Sequence, residues 1–163
     1  MSSPPGASPT SEGPGSASDD GTELREGYAE VGDVRLHYVE AGDGPLIVLL
    51  HGFPEFWFGW RLQVAPLAAA GFRVVAPDTR GYNLSSKPEG FEAYAVDLLA
   101  ADIRDFIGDL GAKSALLVGH DWGGSIAWTT AMDPPQSWPA NRAGPPPSSA
   151  ISARMSSASR STP

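Results

Sequence analysis

Cysteine is absent from the sequence, and so are long apolar runs, basic clusters and any histidine beyond position 120. Without cysteine there can be no disulfide and no thiolate metal site. No apolar stretch is long enough to span a bilayer. Eleven basic residues against nineteen acidic ones give a net charge of −8. With a pI near 4.7, binding to nucleic acid or to an anionic membrane surface is not expected. The three histidines, His37, His51 and His120, lack metal-ligand spacing, so neither a metal nor a cofactor is expected. The N-terminus has neither a basic leader nor an apolar core. It does not read as a secretory signal, which leaves a cytoplasmic location as the default.

A length of 163 residues allows one domain, and both ends look non-globular. Residues 1–26 are Gly, Ser, Pro and acid, with little to bury, and read as a disordered tail. The globular signal runs over residues 27–132. Between Tyr28 and Ala41 two short strands flank Gly32-Asp33, a turn pair. Leu36 to Val39 has the character of an antiparallel strand with one wet face, His37 lying on the surface. Three near-continuous apolar runs follow, Leu46–Leu50, Phe72–Ala76 and Ala115–Val118. They suit parallel strands covered on both faces.

The intervening segments are helical. Phe91, Tyr94, Ala95, Leu98, Leu99, Ile103, Phe106, Ile107 and Leu110 recur at three- and four-residue spacing. Glu92, Asp97, Arg104, Asp105 and Asp109 fall opposite, and Gly111 stands where the helix should stop. Trp57–Ala70 reads as a helix divided by Pro66. The order is hairpin, strand, helix, strand, helix, strand, helix, which predicts an α/β sheet with an antiparallel hairpin and right-handed parallel crossovers. All three apolar strands end in loops with chemical potential: 51–54, 78–82 and 119–124. Ligands of such sheets bind beyond the carboxyl ends of the strands.

From Asp133 to Pro163 the composition turns to Pro, Ser, Ala and Arg without apolar periodicity. This segment reads as a disordered tail, and the abrupt change is better explained by a shifted reading frame or a truncation. No further strand would then cover the 115–118 strand, leaving it an unprotected edge.

Gly119-His120-Asp121-Trp122-Gly123 has the form of a strand-to-helix nucleophile elbow, with aspartate at the nucleophile position. A Gly-flanked surface aspartate would give the same five residues, but it would not account for the other two loops. A carboxylate nucleophile suits displacement at saturated carbon, through an alkyl-enzyme ester.

The segments HGFPEFWFGWR (51–61), PDTRGYNLSSKP (77–88) and GHDWGG (119–124) together resemble the epoxide-hydrolase branch of the α/β-hydrolase superfamily. The resemblance spans about residues 27–132 and makes Asp121 the nucleophile. It implies an oxyanion site built from the backbone N–H groups of Phe53 and Trp122 and a small apolar epoxide as substrate. Trp57 and Trp122 are candidates for the substrate cavity, whereas Trp60 fits helix–sheet packing. Asp78, Arg80 and Ser85 read as loop-fixing residues. His51 and His120 read as structural, because the base of this fold comes late in the chain. The resemblance places that histidine, its acid partner and two cap tyrosines after Asp121, where this sequence has no histidine, no tyrosine and Asp133 as its sole acid. The chain is therefore expected to be a fragment, inactive alone. The alternatives are a haloalkane or haloacetate dehalogenase-type hydrolase, and a non-catalytic binding or complementing module.

Overall fold

The computed structural model describes residues 22–132 and the backbone of a strand at 151–155. Six strands form one mixed sheet: β1 (Arg25–Val31), β2 (Val34–Ala41), β3 (Leu46–Leu50), β4 (Arg73–Pro77), β5 (Ala115–Gly119) and β6 (Ile151–Met155). Their spatial order is β1-β2-β4-β3-β5-β6. β1 and β2 pair antiparallel, as do β2 and β4, and the remaining pairs are parallel. Three helices connect or follow them: α1 (Arg61–Ala69), α2 (Val96–Asp109) and α3 (Trp122–Met132). This is the mixed α/β sheet, antiparallel hairpin followed by parallel strands, that the sequence pattern anticipates. Among the described residues no helix is long and apolar enough to cross a membrane.

The hairpin closes with Val31 opposite Val34. Its two-residue loop has a positive φ of 55° at Gly32, the position glycine takes in a type II′ turn. The apolar runs split between two faces. Leu46, Val48 and Leu50 of β3 join Val75, Leu117, Ile103, Phe106, Ile107 and Ile126 in a core beneath α2 and α3. Ile47 and Leu49 face the other way, with Val74, Ala76 and Val64 of α1. Burial on both faces explains why these strands read as unbroken apolar runs. The second face of β5 is less covered: Leu116 and Val118 are only partly buried.

Both α1 and α2 end on a glycine at positive φ, Gly71 (90°) and Gly111 (73°). The closing bonds Phe72 N–H to Leu67 O and Ala112 N–H to Ile107 O are those of the Schellman motif.

Several local expectations change. Pro66 does not divide its helix but lies within α1. The break falls earlier, where a 3₁₀ turn at Trp57–Trp60 gives way to α1. The proline leaves the Leu62 carbonyl without its donor, at a position where Leu62 is 69% exposed and water can replace it. The helix expected from Phe91 begins at Val96, after a separate 3₁₀ turn at Phe91–Tyr94. Ala95 is extended, and Phe91 is 96% exposed. Arg104, expected on the wet face of α2, is buried. His37 is buried too, because the loop after β4 covers its face of β2 through Asp78 and Ser85.

Ordered structure starts before the expected boundary at residue 27: Leu24 is buried and Arg25 pairs with Glu40. At the other end, β6 runs parallel to β5 over all five of its residues. The edge expected to be bare is therefore paired, since backbone N–H and C=O groups pair whatever the side chains are. The remaining positions expected to be tail, 1–21, 133–150 and 156–163, lie outside the described residues.

Phe106 is fully buried and meets Tyr38 edge-on, with ring centroids 5.4 Å apart. Phe106→Ala is expected to cost about 3–5 kcal/mol of stability, read as a lowered urea midpoint.

Candidate active site

The carboxyl ends of β3, β4 and β5 meet at Asp121. Its φ of 54° makes it one of two non-glycine residues at positive φ among those described, a conformation that costs roughly 1–3 kcal/mol. The turn persists because its neighbours leave no room for another path. A Cβ on Gly119 would lie 2.2 Å from the Gly123 carbonyl oxygen, and one on Gly123 would lie 2.2 Å from that of Leu50. Two bare backbones thus bring β5, α3 and β3 into direct contact. The Asp121 carbonyl then accepts from the Gly124 and Ser125 N–H groups, opening α3.

The Asp121 side chain points outward, and its Oδ1 accepts the Phe53 N–H at 3.0 Å. Hydrogen bonds from Phe53 and then Trp122 hold its carboxyl below the usual carboxylate range. The group is therefore an anion held by backbone donors, with Phe53 on Oδ1. The structure brings Asp121, Phe53 and Trp122 together as the sequence motifs imply. Gly52 abuts them, since a Cβ there would lie 2.6 Å from that of Asp121.

The loop carrying Phe53 is clamped at both ends by the turn after β4. At its start, His51 is buried, its Nδ1 lying 2.9 Å from the Gly52 oxygen. Its Nε2 accepts the Thr79 N–H at 3.1 Å. That pattern assigns the neutral tautomer with the proton on Nδ1. Burial pushes the ring's pKa down and keeps it neutral. With its lone pair engaged, His51 has no basic nitrogen to offer. At the loop's far end, Asp78 Oδ1 accepts the Trp57 N–H at 2.9 Å.

Asp78 is fully buried, and its Oδ2 also meets His37 Nδ1 at 2.7 Å and Asn83 Nδ2 at 2.8 Å. Burial pushes this carboxyl up, but the bonds from His37, Trp57 and Asn83 outweigh it and leave the pKa lowered. Ser85 Oγ donates to the Asp78 carbonyl and accepts the His37 N–H. Arg80 forms a two-pronged pair with Asp102 at 2.6 and 2.7 Å and donates to the Ala93 carbonyl. The Asp102 bonds hold its guanidinium firmly charged and tie the loop to α2.

A cavity of about 140 Å³ reaches Gly52 and Trp122, the neighbours of Asp121, and is lined also by His51, Tyr82, Tyr94 and Leu99 among others. Trp122, a candidate for the substrate cavity, is at its wall. Trp57 is not. Its ring packs edge-on to Phe58 and against the second core, beside α1, because its N–H anchors the 3₁₀ turn over the sheet. Trp60 packs against the same core. His120 faces solvent, 3.7 Å from Glu55. Sequence reasoning missed Tyr82, Tyr94 and Leu99 as cavity residues. For Tyr82 a signal was available, since it follows β4 at the ligand-binding end of the sheet. Among the described residues no cluster of His, Cys, Asp or Glu could hold a metal.

A family model for the α/β-hydrolase fold matches residues 45–139. The chain belongs to the α/β-hydrolase family. It is 52% identical over 111 residues to an AB hydrolase superfamily protein, YfhM, of Bacillus subtilis, covering 67% of this chain and 39% of that protein. It is 47% identical over 118 residues to bifunctional epoxide hydrolase 2 of Sus scrofa, covering 72% of this chain and 21% of the relative. Among solved structures, epoxide hydrolase VrEH1 from Vigna radiata superposes with a TM-score of 0.66 at 39% identity, over 67% of this chain and 34% of that one. Epoxide hydrolase A from Mycobacterium thermoresistibile gives 0.64 at 47%, over 66% and 34%. This α/β-hydrolase chain thus spans well under half the length of these relatives.

Asp78 binds a proton less readily in the folded chain than in the unfolded one. Its stabilising contribution is complete above the unfolded carboxylate pKa and is lost as pH falls through the lower folded value. Asp78→Asn should flatten this part of the acid limb in a plot of stability against pH. Asp78→Ala, which strands His37 and the Trp57 N–H, should cost about 3–5 kcal/mol. Gly123→Ala forces a methyl group against the Leu50 carbonyl and should lower the melting temperature by several degrees.

Proposed function

We propose that Asp121 opens small apolar epoxides by nucleophilic attack, the first half of an epoxide-hydrolase reaction. The observation that carries this reading is the Phe53 N–H on Asp121 Oδ1 at a left-handed elbow. Oδ1 is engaged, which leaves Oδ2 to form the bond to carbon. The epoxide C–O bond breaks and an alkyl ester of Asp121 results. When water attacks that ester, charge develops on the carboxyl oxygen, which is where the Phe53 and Trp122 donors stand. Losing one such donor typically costs about a hundredfold or more in rate. The epoxide-hydrolase relatives support the substrate class.

The second half-reaction needs a base that activates water. His37 is committed to Asp78, His51 to Thr79, and His120 stands in solvent beside Glu55. The 163-residue chain therefore stops at the ester. The intact family fold would draw its base and cap from the part of the relatives this chain does not span.

A second reading, a module that completes its site with a separate partner, draws on the exposed Trp122, Trp128 and Met132 of α3 and the half-covered Leu116 and Val118. Recovered activity on co-expression with the C-terminal part of an epoxide hydrolase would support it. Dehalogenase chemistry has less behind it, since the relatives named above as enzymes of stated activity are epoxide hydrolases.

Incubation of the pure chain with styrene oxide should give one adduct on Asp121 by peptide mass spectrometry, with diol no higher than background. Repeated turnover would overturn the one-step reading, and halide release from a chloroalkane would redirect the substrate class.

A further inference from the structure

One polar group of the cavity is used neither by the clamp nor by the Asp121 carboxylate: the phenol of Tyr82. Its ring stands edge-on to His51, with centroids 4.8 Å apart, and His51 is itself fixed by Gly52 and Thr79. The ring is thus held in place while its hydroxyl has no hydrogen-bond partner among the described residues. The other cavity tyrosine differs, because the Tyr94 hydroxyl donates to the Pro88 carbonyl at 2.7 Å. Tyr82 shares the cavity wall with Gly52 and Trp122, the two residues that abut Asp121 on either side of the elbow. Burial, followed by the charge on Asp121, pushes the phenol's pKa up, so it keeps its proton through neutral pH.

Ring opening needs such a donor. As Asp121 Oδ2 bonds to an epoxide carbon, the C–O bond breaks and its electron pair moves onto the epoxide oxygen. An unprotonated alkoxide is a poor leaving group, so proton donation in the transition state speeds the step. We propose that Tyr82 gives its phenolic proton to the epoxide oxygen in this chain and regains one from water afterwards. The proposal rests on the reading of Asp121 as nucleophile. Tyr82 precedes the elbow and lies after β4, so it is not one of the downstream cap tyrosines that the family resemblance implies.

The test is the rate of Asp121 alkylation by styrene oxide in the full chain, followed by mass spectrometry against pH. Wild type should show one adduct, and Asp121→Asn none. Tyr82→Phe keeps the ring against His51 and should slow adduct formation about a hundredfold. The wild-type rate should fall at alkaline pH as the phenol ionises, and Tyr82→Phe should lack that limb. Equal rates and pH profiles for the two proteins would overturn the role of Tyr82 and leave Asp121 as nucleophile. If Tyr82→Phe fails to fold by circular dichroism, a wild-type profile without an alkaline limb overturns the proposal by itself. No adduct on wild type would remove both readings.

Discussion

The backbone contact of Gly123 with the Leu50 carbonyl is the constraint on which the candidate site depends. Because neither Gly119 nor Gly123 carries a Cβ, α3 can start directly against β3 and β5. The turn between strand and helix then has to be made by one residue at positive φ, and that residue is Asp121. A side chain on such a turn is lifted away from both elements, which is why a carboxylate next to a dense core stays open to solvent. The strain of the turn is sustained by the packing of Ile126 and Ala127 beneath it, both nearly inaccessible.

The second requirement is a donor aimed at that carboxylate. The Phe53 N–H belongs to a loop with no regular structure of its own, so it must be held from outside. Asp78 and Thr79, consecutive in the turn after β4, hold its two ends through Trp57 and His51. Here a buried carboxylate and a buried imidazole perform positional work, not proton transfer. Burial and full hydrogen bonding keep one charged and the other neutral, which gives the loop a single geometry.

Much of the fold was legible because it rests on short-range patterns. Both-face burial makes β3, β4 and β5 read as apolar runs, and Gly111 marked the end of α2. The elbow was legible because close approach of backbones demands glycine at fixed offsets from the residue at its turn, here Asp121. What failed were judgements about cover. His37 and Arg104 are polar residues that look solvated in sequence, yet loops and helices contributed from elsewhere bury them. Pro66 read as a breaker, but a single exposed carbonyl lets the helix run on. Trp57 looked like a cavity residue, yet its N–H ties it to Asp78 and turns its ring to the sheet.

By itself the sequence determined the order of strands and helices from β1 to α3, the family and the glycine-flanked turn at Asp121, since each is encoded in local spacing and residue type. The tertiary structure decided three other matters. It inserted β4 between β2 and β3 and set β6 alongside β5. It engaged the lone pair of His51 with Thr79. It left the Tyr82 hydroxyl without a partner in a cavity that also touches the surroundings of Asp121. Each of these depends on contacts between segments far apart in the chain, and spacing along a sequence carries no record of which distant group will arrive to cover, donate or withhold a hydrogen bond.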